Sequence, residues 1–145
     1  MTAVNDVPLD TYVETSALLS SVFVHESGSS ASISFPGRCF TSALTIAEAN
    51  RCVTRARLGR LLGAAEERRV IDLLERFFLN CDVVAVSDEI LLRAGRDFPA
   101  EPLRTLDAIH LATVVSSGMP ARLVRVVTRD RRVRANAIAM GYAVG

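Results

Sequence analysis

Pro8-Leu9-Asp10-Thr11-Tyr12-Val13-Glu14-Thr15-Ser16-Ala17-Leu18-Leu19 is the stretch on which the fold turns. It reads as a short strand from Pro8 to Val13 that runs into a helix. Thr15 or Ser16 caps that helix, and Leu18, Leu19 and Val22 carry it on. The same step recurs outward along the chain. Arg38 to Thr41 reads as a second strand, followed by a helix from about Leu44 to Leu58. Asp82 to Val86 reads as a buried strand, and Ser87 caps the helix after it. Leu123 to Thr128 reads as a strong central strand, followed by a helix over about Arg131 to Met140 and a short last strand, Tyr142 to Val144.

Two further helices fill the intervals. Ala64 to Leu79 is amphipathic, with Val70, Leu73, Leu74, Phe77 and Phe78 on one face and an Asp72–Arg76 pair on the other. Thr105 caps an apolar helix that Gly118 and Pro120 end, after Pro99 and Pro102 break the chain. Residues 26–38, rich in Ser and Gly, read as a loop with at most a weak helix. Alternating apolar strands and helices predict an α/β domain with a parallel sheet covered on both faces. In such sheets ligands bind beyond the carboxyl ends of the strands.

At 145 residues the chain is expected to form one domain, and with half its residues hydrophobic it has material for a sizeable core. No apolar run approaches the ~20 residues of a membrane span, and no secretory pattern opens the sequence, so a cytoplasmic protein without membrane contact is expected. Cys39, Cys52 and Cys81 are widely spaced and odd in number, which reads as buried free thiols.

All 17 basic residues are Arg. Without Lys there is no Walker-type phosphate loop and no Schiff-base chemistry. The same lack counts against a phosphoacceptor receiver domain, which also clusters acids at strand ends but sets a Lys beside them. From Arg122 to Arg134 six Arg stand against one acid, Asp130. Phosphate, if bound, must be held by Arg forks, backbone amides or metal.

Four acids stand in surroundings where carboxylates are rare. Glu14 and Asp130 fall at strand ends, while Glu48 and Asp107 lie on otherwise apolar helices. Singly, Glu14 and Asp107 read as first-turn acids favoured by the helix dipole, and Asp130 as an N-cap. Glu48 resists such a reading: it is mid-helix, with Leu44 at i−4 and Cys52 at i+4. A buried carboxylate is costly unless paired or metal-bound, and four of them suggest one shared divalent cation. Mutual repulsion in the empty site is expected to raise and couple their pKa values. The chemistry fits metal-assisted phosphodiester hydrolysis. His25 and His110 are too few for a zinc site, and His110 reads as a helix-packing residue.

Tyr12-Val13-Glu14-Thr15-Ser16-Ala17-Leu18, Glu48 in its helix, Leu106-Asp107-Ala108-Ile109-His110-Leu111-Ala112 and Thr128-Arg129-Asp130 resemble, in order and spacing, the four motifs of PIN-domain ribonucleases, closest to the VapC-like toxins of type II toxin–antitoxin pairs. The resemblance spans essentially residues 1–145 as a single PIN-like domain. It implies a three-layer α/β/α fold and an endoribonuclease dependent on Mg²⁺ or Mn²⁺. It also implies inhibition by a small antitoxin, and usually a homodimer. By position it implies a catalytic set of Glu14, Glu48, Asp107 and Asp130, with Glu14, Asp107 and Asp130 on the metal and Ser16 and Thr128 in support.

Arg129, Arg131, Arg132 and Arg134 flank Asp130 and are candidates to hold the RNA backbone; the bland reading is a solvated helix face. Apolar residues in surplus of one helix face, Val22, Phe23, Leu58, Leu61 and Leu62, mark where an antitoxin segment would cross. One residue departs from the family pattern. The first acid is normally Asp, and the extra methylene of Glu14 moves its carboxylate by about 1.5 Å. Mg²⁺ tolerates misplacement poorly. The alternative is therefore a catalytically weakened PIN-fold protein that binds RNA or sequesters antitoxin.

Overall fold

Tyr12 and Val13 are neighbours on the first strand and are both fully buried, yet they belong to different cores. Successive strand residues point to opposite faces, so two buried neighbours require a sheet covered on both sides. The computed structural model describes residues 9–25 and 32–145. Its elements run β1 (Asp10–Val13), α1 (Thr15–Val24), β2 (Cys39–Ser42), α2 (Leu44–Leu58), α3 (Ala64–Leu79), β3 (Asp82–Val84), α4 (Asp88–Ala94), α5 (Thr105–Ser116), β4 (Val124–Val127), α6 (Arg131–Ala139) and β5 (Ala143–Val144).

The five strands are all parallel, in the order β3-β2-β1-β4-β5. One core joins Tyr12, Phe40, Val124 and Val126 to α4, α5 and α6 through Ile90, Leu111, Val114 and Val133. The other joins Val13 to α1, α2 and α3 through Leu18, Val22, Val53, Val70, Leu74 and Phe77. Burying each of these large side chains contributes roughly 1.5–3 kcal/mol. The predicted three-layer α/β/α architecture is what forms. In α5 every residue from Asp107 to Val114 is buried, which accounts for its nearly unbroken apolar sequence.

Several local expectations shift. The strand read as buried, Asp82 to Val86, is the three-residue β3, with Asp82 and Val83 exposed. It lies at the sheet edge and pairs only with β2; an apolar run does not reveal its place in the strand order. Glu14, not Thr15 or Ser16, is the N-cap residue of α1, and Arg104, not Thr105, that of α5; neither side chain makes a cap hydrogen bond. Ser87 caps α4 as expected, accepting from the Ile90 amide. Leu123 belongs to a single 3₁₀ turn before β4. Residues 32–38 form no helix, and Pro8 and residues 26–31 lie outside the described residues. Gly37 has φ 75°, and a Cβ there would run into the Leu9 carbonyl, so glycine is required where the chain turns into β2. Cys81 is buried, but Cys39 and Cys52 are only half-buried; all three are free thiols.

From β1 the chain winds outward through β2 and β3. It then returns to the other side of β1 to lay down β4 and β5. The strand order reverses between β1 and β4, and in such sheets the crevice beyond the carboxyl ends of the strands at that reversal is where ligands bind. There the Glu14 amide donates to the Val127 carbonyl at 3.0 Å.

Candidate active site

The reversal point gathers the acids. Glu14 follows the last residue of β1, and Thr128 follows the last residue of β4. The Thr128 hydroxyl donates to Glu14 Oε2 at 2.8 Å, and the Ser16 hydroxyl donates to the same oxygen. Ser16 Oγ accepts from the Arg129 amide at 2.8 Å, and Thr128 Oγ1 from the Asp130 amide at 3.0 Å. Two hydroxyls thus tie the start of α1 to the segment after β4. Both Glu14 and Asp107 are buried. Asp130 caps α6, its Oδ1 accepting from the Arg132 and Val133 amides. Asp10 opens β1 at its far end, about 13 Å from Glu14 along the strand, and stands apart from these acids.

Glu48 reaches the same crevice from the second turn of α2 and is held by two donors. Thr15 Oγ1 lies 2.7 Å and His110 Nε2 2.6 Å from its Oε1. A carboxylate only accepts, so Nε2 carries the proton. His110 Nδ1 is then the acceptor for the Tyr12 hydroxyl at 2.7 Å. Tyr12 and His110 are essentially inaccessible to water. Burial, reinforced by the Glu14 charge, holds the Tyr12 phenol well above its ordinary range, so it stays a donor. Burial alone would raise the Glu48 pKa, but the hydrogen bonds from His110 and Thr15 outweigh it and the net shift is downward. The expectation of a raised value therefore fails for Glu48, because buried donors favour its charged form. His110 is accordingly more than a packing residue. Its signal was its spacing: Asp107 and His110 are three apart and share one face of α5.

Asp107 and Asp130 meet on one guanidinium. Arg104 Nε donates to Asp107 Oδ2 at 2.9 Å, and its terminal nitrogen to Asp130 Oδ2 at 3.1 Å. The charge-assisted bond to Asp107, then the charges of Asp107 and Asp130, raise the Arg104 pKa further. Sequence reasoning missed Arg104, although Arg at a helix N-cap followed three residues later by Asp is a readable oddity. It also missed Asn136, fully buried on α6. The Asn136 amide accepts from the Ala100 N–H at 2.8 Å and donates to the Ala100 carbonyl at 2.9 Å. Glu101 accepts from the Phe98 and Leu103 amides, so the approach to Arg104 is pinned on both sides.

The Arg129, Arg131, Arg132 and Arg134 residues are exposed around the start of α6. Among the described residues, the guanidinium paired with the site acids is that of Arg104. No three Asp, Glu, His or Cys side chains among the described residues stand together as a cation cage, the expected trio of Glu14, Asp107 and Asp130 included. Glu14 is engaged by hydroxyls, and the two aspartates are drawn onto Arg104. The donor set nonetheless fits a small hard cation, since Mg²⁺ takes few protein carboxylates and keeps its waters. The Arg104 guanidinium, held by both aspartates, marks where a positive charge is accommodated.

The PIN domain family model matches residues 11–139, which takes in all four acids and their supporting hydroxyls. This chain belongs to the PIN domain family. Within it, the chain is similar to ribonuclease VapC35 of Mycobacterium tuberculosis, with 36% identity over 107 residues, 74% of this chain and 71% of that one. It is 44% identical over 69 residues to ribonuclease VapC46 of the same organism, covering 48% and 51% of the two chains. Among solved structures, VapBC2 from Rickettsia felis bound to a DNA fragment from its promoter superposes with a TM-score of 0.60. The identity is 10%, and the match covers 94% of this PIN domain and 98% of that chain. VapBC-1 from nontypeable Haemophilus influenzae gives a TM-score of 0.51 at 13% identity, covering 94% and 97%. At these identities the structures speak to the fold alone. No helix among the described residues is long and apolar enough to cross a membrane.

Proposed function

We propose that this PIN domain is an endoribonuclease toxin that uses Mg²⁺ or Mn²⁺ and is neutralised by a cognate antitoxin. The observation that carries the reading is the convergence of Glu14, Glu48, Asp107 and Asp130 on the crevice between β1 and β4. The similarity to ribonucleases VapC35 and VapC46 supports RNA as substrate. Asp107 and Asp130, with Glu14 beside them, would hold the cation. The cation's charge, when bound, lowers the pKa of a water and steadies the leaving oxygen. Glu48, kept ionised by His110 and Thr15, orients or deprotonates the attacking water. Ser16 and Thr128 fix Glu14 and lock the two strand ends at one spacing. Arg129, Arg131, Arg132 and Arg134 line the approach of the phosphate backbone.

An antitoxin segment fits the exposed apolar residues Phe23, Leu58 and Leu61 at the ends of α1 and α2, with half-buried Leu62 beside them. Val22 belongs to the core and drops out of that surface. The VapBC complexes among the fold neighbours support a partner of this kind, and a homodimer is the assembly proposed with it. The alternative, a PIN fold with weakened catalysis, draws on Glu14 and on the lack, among the described residues, of a preformed three-acid cage.

One assay separates the two: cleavage of total RNA with Mg²⁺ or Mn²⁺, with chelator, and by Asp107→Asn. Cleavage that needs metal and is lost in Asp107→Asn supports the nuclease. Cleavage that survives both refutes it. Metal-independent binding without cleavage selects the alternative.

A further inference from the structure

Arg104 is a poor choice for the position it holds. At an N-cap, Ser, Thr, Asp or Asn would satisfy a free amide, whereas Arg offers the helix nothing, and its side chain makes no cap bond. Its side chain is 65% exposed, yet the guanidinium is paired with both Asp107 and Asp130. The backbone around it is held by Asn136 and Glu101. The result is a rigid base carrying one long side chain that reaches into the crevice from the rim. The space it fills lies between the two carboxylates that the proposed nuclease reading assigns to a divalent cation.

We propose that Arg104 is an exchangeable counter-cation and substrate-binding residue: without metal its guanidinium neutralises Asp107 and Asp130, and when a divalent cation takes those oxygens it turns to grip a phosphate of the RNA backbone. This rests on the nuclease reading of the same site. The chemistry favours the exchange. A guanidinium offers five N–H donors in a planar fork that matches phosphate as well as carboxylate. Its two ion pairs are solvent-facing on the arginine side, so they are weak enough to yield. A divalent cation neutralises both aspartates more fully than one arginine does, and it leaves the guanidinium beside the scissile phosphate with no carboxylate to hold it. The arrangement also keeps the acids from repelling each other in the metal-free protein.

The test uses the full chain and two ligands measured separately. Mn²⁺ binding is followed by calorimetry and by electron paramagnetic resonance for wild type, Arg104→Ala, Arg104→Gln and Asp107→Asn. A single-stranded RNA made uncleavable by 2′-O-methylation is titrated with and without saturating Mn²⁺. Removing the competing cation should tighten Mn²⁺ binding roughly three- to tenfold, the equivalent of one or two exposed ion pairs. Uncleavable RNA should bind the alanine and glutamine variants several-fold more weakly in Mn²⁺ but equally well without it, since the wild-type arginine is then engaged with the acids. Thermal unfolding of the metal-free variants checks that they are folded.

Unchanged or weaker Mn²⁺ binding in both Arg104 variants, beside clear weakening in Asp107→Asn, would overturn the counter-cation role while leaving the nuclease reading intact. RNA binding that falls equally with and without Mn²⁺ would overturn the exchange. Absence of Mn²⁺ binding in wild type and Arg104 variants alike would overturn both readings.

Discussion

The chain Tyr12–His110–Glu48 can be dissected by a double-mutant cycle. His110→Leu, a change of similar volume, removes the Nε2–H donor from a charged carboxylate, a bond worth about 1.5–3 kcal/mol. It also strands the fully buried Tyr12 hydroxyl, which costs about 1–3 kcal/mol more. The single variant should therefore lose roughly 3–5 kcal/mol, a large part of the 5–15 kcal/mol typical of a domain. Tyr12→Phe leaves His110 Nδ1 without its donor and should cost about 1–3 kcal/mol. In the double variant neither stranded partner exists, and only the loss at Glu48 remains. Its cost should fall roughly 2–6 kcal/mol short of the sum of the singles, the two stranding costs that it avoids. Urea unfolding monitored by circular dichroism measures all four corners. Effects that add within about 0.5 kcal/mol would refute the argument, because independent packing sites behave that way.

Three further outcomes are expected. Glu48 is held below its ordinary pKa, so it stabilises the fold when ionised, and that stability drains as the pH falls below about 4.5. In His110→Leu the burial remains while a donor is gone, so the folded-state pKa moves up toward or past the unfolded one, and the acid-driven loss of stability from Glu48 should shrink or reverse; a pH slope of stability equal to wild type below pH 4.5 would contradict it. Arg131→Ala with Arg132→Ala should flatten the salt dependence of RNA binding by roughly 0.7 per lost phosphate contact without altering sequence preference, and an unchanged slope would return both to a solvated helix face. Asn136→Leu should cost about 1–3 kcal/mol by stranding the Ala100 amide and carbonyl, and should raise hydrogen exchange across residues 98–104; protection equal to wild type would show that segment to be held by other contacts.

The sequence by itself determined the strand-to-helix rhythm and the parallel sheet. The burial of both Tyr12 and Val13, on opposite faces of the sheet, and the nearly unbroken apolar run of α5 are written in composition and period. It also marked the four acids, because a carboxylate among Leu, Ile and Ala is conspicuous without any coordinates. What it left open was set by distances between residues far apart in the chain. The edge position of β3 depends on the strand order, which no local pattern encodes. The downward shift at Glu48 depends on His110, 62 positions later, and on the Tyr12 hydroxyl behind it. Arg104 was hidden for the same reason: its partners lie on two helices, and only the packing of α5 against α6, clasped by Asn136, brings Asp107 and Asp130 within reach of one side chain. Period and propensity act over a few residues, so they fix elements. The pairing of buried charge is a tertiary matter, because a carboxylate's free energy is set by whichever donors the fold delivers to it.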